Sequence, residues 1–206
     1  MRKKRIEIHN DREYKKFLRR ITLYKRMFYR NTLFIIDSNI HDPNINYIVE
    51  ALNIKKRKDR IQYVYDKSCE MIDEKGKEKN ICGFKNHKCY VQRETKSKAC
   101  NGCCKYCMYQ TKNGCPTKNL ACKLFNCSEV TSRHDVVKYR DLKILKLLSL
   151  KNRFIVKSDY FSTREDVLKD LYSYSVIYST CRILYRWTKN DYFFSRKQKR
   201  KKRVNK

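Results

Sequence analysis

The sequence predicts a mainly α-helical protein: a helical scaffold with an irregular Cys-rich, metal-stapled insert and a disordered basic C-terminal tail. Apolar residues recur at helical spacing before about residue 80 and again after residue 131. Between these limits no helical or strand period is sustained, and nine of the eleven cysteines lie there. We expect an N-terminal helical part (1–79), a Cys-rich metal-binding insert (80–131), C-terminal helices packing on the N-terminal part (132–195) and the tail (196–206).

The first helix is predicted from its start signal and its apolar stripe. Asn10 and Glu13 have the spacing of a capping box, in which each side chain accepts a hydrogen bond from the other residue's backbone. The stripe that follows consists of Tyr14, Phe17, Leu18, Ile21, Tyr24 and Phe28. We therefore expect an amphipathic helix with a strongly basic outer face.

Three further elements are expected before the insert. Residues 33–36 are predicted to form a short strand or a buried turn. Asp42 and Pro43 are typical of a helix start, because proline is favoured in the first turn, and they predict a short helix that reaches Leu52. A third helix is expected over residues 56–75.

After the insert, apolar residues over 142–148 predict a helix that is buried on more than one side. Ser162 and Glu165 form a second capping-box signature. It precedes one long stripe, which consists of Val167, Leu171, Tyr174, Tyr178, Cys181 and Tyr185. We expect Cys181 in the core, and disorder in the tail, which has eight basic residues and no acid.

Composition and charge limit the functions to be considered. Lysine and arginine number 51 against 21 acidic residues, a formal net charge of +30, which favours an anionic partner. No secretory signal is visible, and no apolar run approaches the roughly 20 residues that span a bilayer. We expect a cytoplasmic protein without a transmembrane segment, in which thiols stay reduced and bind metal more often than they form disulfides.

The spacing of the cysteines predicts metal binding. Cys100 with Cys103, and Cys104 with Cys107, have the C-x-x-C spacing that lets two sulfurs reach one ion. Surrounding lysines, with no acid between residues 94 and 129, favour the thiolate form that binds metal. The alternatives are buried thiols and disulfides, and His87 is a further candidate. The predicted metal ligands are Cys82, Cys89, Cys100, Cys103, Cys104, Cys107, Cys115, Cys122 and Cys127.

Two parts of this cluster resemble known families. The string CNGCCKYC resembles the cluster motif of radical SAM enzymes of the molybdenum-cofactor biosynthesis type. This resemblance implies that Cys100, Cys104 and Cys107 bind a [4Fe–4S] cluster whose open iron takes S-adenosylmethionine. The string GCPTKNLACKLFNC resembles bacterial zinc- or iron-chelating cysteine-cluster proteins, which implies Cys115, Cys122 and Cys127 as metal ligands.

We therefore expect an intracellular, bacterial-type cysteine-cluster metal-binding protein that holds a [4Fe–4S] cluster or Zn(II). One alternative is a radical-SAM-type [4Fe–4S] protein. Another is a zinc-stabilised protein that binds nucleic acid or another polyanion through its basic surface. That surface would include Arg12, Lys15, Lys16, Arg19, Arg20 and Arg26. No paired carboxylates, nucleophile elbow or phosphate-cradling glycine loop indicates a particular reaction.

Overall fold

The computed structural model describes residues 2–27, 32–79, 86, 107–109, 111 and 119–204. These residues form eight α-helices, a 3₁₀ helix and one two-stranded sheet, which confirms the mainly helical fold class. The chain divides into two compact units. Unit 1 contains residues 1–71 and 138–153, and unit 2 contains residues 72–137 and 154–206.

Unit 1 begins with two parallel strands joined by a helix. Strand β1 (Arg2–Ile8) pairs with β2 (Thr32–Ser38), and helix α1 (Asp11–Arg26) connects them. Parallel strands need such a crossover, because a tight turn can join only antiparallel neighbours. The structure settles residues 33–36 as part of a strand. The sequence patterns did not predict β1, in which only Ile6 and Ile8 are buried.

Helix α1 starts as its capping box predicts. The Asn10 side chain accepts a hydrogen bond from the backbone N–H of Glu13 at 3.0 Å. The Glu13 carboxylate accepts one from the backbone N–H of His9 at 2.7 Å. Farther along, the ring of Tyr24 packs edge-on against Phe34 of β2, with centroids 5.7 Å apart. Phe17, Ile21 and Tyr24 of the predicted stripe are buried, whereas Phe28 lies outside the described residues.

Two more helices complete the core of unit 1. Helix α2 (Pro43–Asn53) starts after Asp42, whose side chain accepts from the backbone N–H of Asn44 at 2.9 Å. Helix α3 (Arg57–Lys79) follows after a short link. The start predicted at Pro43 is confirmed, and the predicted third helix extends a few residues farther than expected.

The segment predicted as a helix over residues 142–148 is a short 3₁₀ helix (Lys143–Leu147). Its apolar residues are buried as expected: Leu142, Ile144, Leu145, Leu147 and Leu148. The backbone N–H of Lys143 donates to the side-chain oxygen of Asn44 at 3.0 Å. This bond satisfies a donor at the start of the turn. Nearly every side chain of this segment is buried, which suits a short 3₁₀ helix better than a long helix with one solvent-exposed face.

Unit 2 is built from short helices and one long helix. They are α4 (Leu120–Leu124), α5 (Ser128–Arg133), α7 (Arg164–Tyr172) and α8 (Val176–Val204). Helix α6 (Leu150–Ser158) crosses the division between the units, as α3 does. Helix α7 starts one residue later than its signature predicts, because the Thr163 hydroxyl, and not Ser162, accepts from the backbone N–H of Asp166.

The single long stripe predicted after Ser162 is wrong in its second half. The chain leaves the helix between α7 and α8, over residues 173–175. Tyr174, Tyr178 and Tyr185 are exposed, and so is Cys181, which the sequence analysis placed in the core. The face of α8 that is buried consists of Ser179, Ile183, Arg186 and Asn190. Its three polar residues look like surface residues in the sequence, which is why the stripe was misread.

Helix α8 also continues to Val204, into the basic stretch that was predicted to be disordered. Lysine, arginine and glutamine are good helix formers, so this composition is compatible with a helix that starts upstream. Within the described residues, no helix is long and apolar enough to cross a membrane.

Candidate metal centre

Three of the nine predicted ligands lie among the described residues, and all three belong to unit 2. Cys107, Cys122 and Cys127 are each partly exposed and form no disulfide. The other predicted ligands, and His87, lie outside the described residues: Cys82, Cys89, Cys100, Cys103, Cys104 and Cys115. Among the side chains that the structure does describe, no three potential metal ligands converge.

The end of the cysteine-rich stretch is fixed by a buried amide. Asn119 is only 2% exposed and caps α4, where its oxygen accepts from the backbone N–H of Cys122 at 3.0 Å. Its nitrogen donates to the carbonyl oxygens of Asp159 at 2.7 Å and Ser162 at 2.9 Å. One side chain therefore links α4 to the loop between α6 and α7, and holds Cys122 at a defined place.

The Cys122 thiol itself contacts that loop. Its sulfur donates to the carbonyl oxygen of Tyr160 at 3.0 Å. The ring of Tyr160 packs edge-on against Phe125 and Trp187, with centroids 6.0 and 5.9 Å away. Metal binding would require the thiol to lose this proton, since the thiolate is the ligand. Cys122 is thus positioned by its neighbours and still carries an ionisable sulfur.

Cys127 occupies the N-cap position of α5. Its carbonyl oxygen accepts from the backbone N–H of Thr131 at 3.0 Å, whereas its side chain makes no capping hydrogen bond. Its sulfur is therefore not used to start the helix.

The third described cysteine, Cys107, precedes a residue that is hydrogen-bonded to α8. The backbone N–H of Met108 donates to the side-chain oxygen of Asn190 at 2.8 Å, and Asn190 is 1% exposed. Burial is the main cause that raises the pKa of Tyr109, and the charges of Asp166 and Cys107 raise it further. The segment 107–109 is thus anchored by α8, beside ionised side chains of unit 2.

No family model, curated protein or solved structure matches this chain.

A buried ion network underlies these anchors. Asp159 and Asp170 are fully buried, and the guanidinium of Arg186 forms a two-pronged pair with Asp159 at 3.1 and 2.8 Å. Arg186 also donates to Asp170. Arg182 pairs with Asp170 at 2.8 Å and with Asp166 at 3.2 Å. Burial raises the pKa of Asp159, whereas the hydrogen bond from Ser162 and the charge of Arg186 oppose this.

The other end of the cysteine-rich stretch is tied to the same unit. Lys123 of α4 forms an ion pair with Asp73 near the end of α3. Lys75 pairs with Asp135 at 3.6 Å. Ion pairs therefore join the C-terminal half of α3 to α4 and to the residues after α5.

The residues that position this region were not predicted from the sequence. They are Asn119, Asp159, Asp170, Arg186 and Asn190. For Asn119 a signal existed, since asparagine before the run LACKL is typical of an N-cap. For the ion network the sequence offers no such signal, because the residue type does not show whether a charged side chain is buried or exposed to solvent.

Proposed function

We propose that this protein binds metal through its cysteine cluster, as a [4Fe–4S] cluster or as Zn(II). The observation that carries the proposal is the presence of nine cysteines between residues 82 and 127 of a basic chain. Crowding of thiols in polar, lysine-rich sequence is typical of metal ligands, and these surroundings favour thiolates. A cytoplasmic location is part of this proposal, because such thiols need a reducing compartment to stay free.

The described frame supports the proposal through contacts of the residues that flank the cysteine-rich stretch. The ion pair between Lys123 and Asp73 joins α4 to α3, and Asn190 accepts a hydrogen bond from the backbone N–H of Met108. Closing a loop costs conformational entropy, and contacts between its flanking residues offset part of that cost. A structural metal ion then adds about 10–16 kcal/mol of apparent binding free energy, which becomes folding free energy of the segment.

The test is anaerobic purification followed by metal analysis and a visible absorption spectrum. We expect bound iron with sulfide and a brown colour, or bound zinc in colourless protein. Cys122→Ser and Cys127→Ser should each lower the metal content. Cys181→Ser is the matched control, because Cys181 is exposed on α8 and outside the cluster, and it should leave the metal content unchanged.

Protein that is fully folded and metal-free, or equal metal content in all three variants, would contradict this proposal. If iron and sulfide are found, reduction with S-adenosylmethionine tests the radical-SAM alternative. Formation of 5′-deoxyadenosine would support it, although strands in the described residues are limited to one two-stranded sheet.

A second candidate function is nucleic-acid binding, and the outer face of α1 favours it. Arg12, Lys15, Lys16, Arg19 and Arg20 are all exposed there. Lysine and arginine on one helix face release counterions when they bind phosphates, so the affinity should fall steeply with salt.

We expect Lys16→Gln with Arg20→Gln to weaken retention on single-stranded RNA or DNA and to reduce its salt dependence. The matched control is Lys169→Gln with Lys189→Gln, which removes the same charge from exposed positions of unit 2. An equal loss of retention in both variants would show that net charge alone causes the effect, and it would contradict this candidate function.

A further inference from the structure

Unit 1 contains a cavity that no function considered so far uses. It has a volume of about 310 Å³ and lies between the last turns of α1, the first turns of α3 and the residues that lead into α6. This volume is at the small end of the range for ligand-binding pockets.

The cavity is strongly positive. Lys25, Arg26, Arg57 and Arg60 line it, and none of the described residues of its lining is acidic. Burial is the main cause that lowers the pKa of Lys25, and repulsion from Arg153 and Arg60 lowers it further. The fold therefore holds several cations together at an energetic cost that an anion in the cavity would relieve.

A second lysine of unit 1, Lys146, also lies near other cations. Burial, then repulsion from Lys143 and Arg153, lowers the pKa of Lys146. Its ammonium group donates to the carbonyl oxygen of Leu18 at 3.3 Å. Positive charge is thus concentrated on the side of unit 1 where α1 and the 3₁₀ helix approach each other.

The cavity is also preorganised and has an apolar part. Arg60 is fixed by hydrogen bonds from its guanidinium to the carbonyl oxygens of Ile54 at 2.6 Å and Lys55 at 3.3 Å. Ile61, Leu147 and Leu148, all buried, contribute apolar surface. A fixed guanidinium loses little rotamer entropy when it binds a ligand, which favours affinity.

We propose that this cavity binds the phosphate group of a phosphorylated ligand, with the leucine and isoleucine side chains against the ligand's organic part. Arginine and lysine are the side chains that bind phosphate most strongly, through short charge-assisted hydrogen bonds. The phosphate belongs either to a small phosphate monoester or to the backbone of a polynucleotide. The proposal rests on unit 1 and does not depend on metal in unit 2.

The first experiment is a calorimetric titration of the full chain with inorganic phosphate. We expect saturable binding at one site per chain. Lys25→Gln with Arg26→Gln should weaken it about tenfold or more, because two charge-assisted hydrogen bonds are lost. Lys169→Gln with Lys189→Gln is the matched control, since it removes the same charge from exposed positions of unit 2, and it should change the affinity little.

A second readout does not depend on heat changes. Phosphate bound beside Lys25 should raise the pKa of its ammonium group, which carbon-13 NMR of labelled lysines measures. Absence of saturable binding, equal weakening in both double variants, or an unchanged Lys25 pKa at saturating phosphate would each overturn the proposal.

Two competing ligands then identify the source of the phosphate. Adenosine monophosphate that binds more tightly than a short oligothymidylate indicates a small monoester. The opposite order, with affinity that falls steeply with salt, indicates a polynucleotide backbone. In both cases Lys25→Gln with Arg26→Gln must weaken the tighter ligand for the proposal to stand.

Discussion

In unit 1 the buried side chains are apolar or uncharged, from Ile8 of β1 to Leu52 of α2, whereas unit 2 buries Asp159, Asp170 and Arg186. An apolar core tolerates changes of shape if volume is kept, because its contacts have no preferred direction. A buried ion network tolerates little, since each partner left alone retains its desolvation cost. The frame beside the cysteine-rich stretch therefore depends on a few directional bonds.

The largest effect is expected at the centre of that network. Arg186→Met should lower the free energy of unfolding by about 3–5 kcal/mol, because it leaves the buried Asp159 without a cation and removes one of the two cations of Asp170. Chemical denaturation followed by circular dichroism measures this. Arg182→Met is the control, because the Arg182 side chain is 29% exposed and water can replace part of its role. Equal losses in the two variants would mean that burial does not set the cost.

The next effect tests the buried cap of α4. Asn119→Ala should cost about 3 kcal/mol, because it removes a helix cap and also leaves buried carbonyl groups without a donor. The same denaturation experiment measures the loss. A cost of 1 kcal/mol or less would show that the carbonyl groups of residues 159–162 find other donors.

The corresponding cap of unit 1 should matter less. Asn10 caps α1 in the same way, but it is exposed and makes no tie to a distant loop. Asn10→Ala should therefore cost about 1 kcal/mol, the ordinary value for an N-cap. A loss of unfolding free energy as large as that of Asn119→Ala would contradict the proposed difference between the units.

The smallest effect concerns charge repulsion in unit 1. Lys25→Gln should raise the free energy of unfolding by about 0.5 kcal/mol near neutral pH in phosphate-free buffer, because it removes a partly buried cation that Arg153 and Arg60 repel. The lowered pKa of Lys25 means that the unfolded chain binds more protons between the folded pKa and the ordinary value of 10.5. Wild-type stability therefore rises relative to the variant through this pH window, and the difference between them shrinks. A difference that stays constant from neutral pH to above 10.5 would contradict this assignment.

How far the sequence predicts this fold depends on how local each signal is. The starts of α1 and α2 were predictable, because Asn10 and Asp42 bond to residues only two or three positions away. Strand β1 was not, since only Ile6 and Ile8 face inward and the other described residues of the strand are exposed. Two apolar residues at alternate positions are too few to predict a strand in such a basic sequence.

The candidate site shows the same limit. Cysteine count and spacing indicated metal binding without any tertiary information. The anchor at Asn119 could not be read, because the carbonyl oxygen to which it donates belongs to a residue forty positions farther along the chain. The buried face of α8 was hidden as well, since Arg186 is interpreted as a surface residue until its partners, Asp159 and Asp170, are known.

The only tryptophan of the chain, Trp187, lies beside this frame. Its indole N–H donates to the carbonyl oxygen of Ser158 at 3.3 Å, and its ring packs edge-on against Phe161 with centroids 5.5 Å apart. Its other aromatic neighbour, Tyr160, accepts the hydrogen bond from the Cys122 thiol. Intrinsic fluorescence therefore supplies a built-in optical reporter: a change at Cys122 should alter the emission of a single indole, without any added dye.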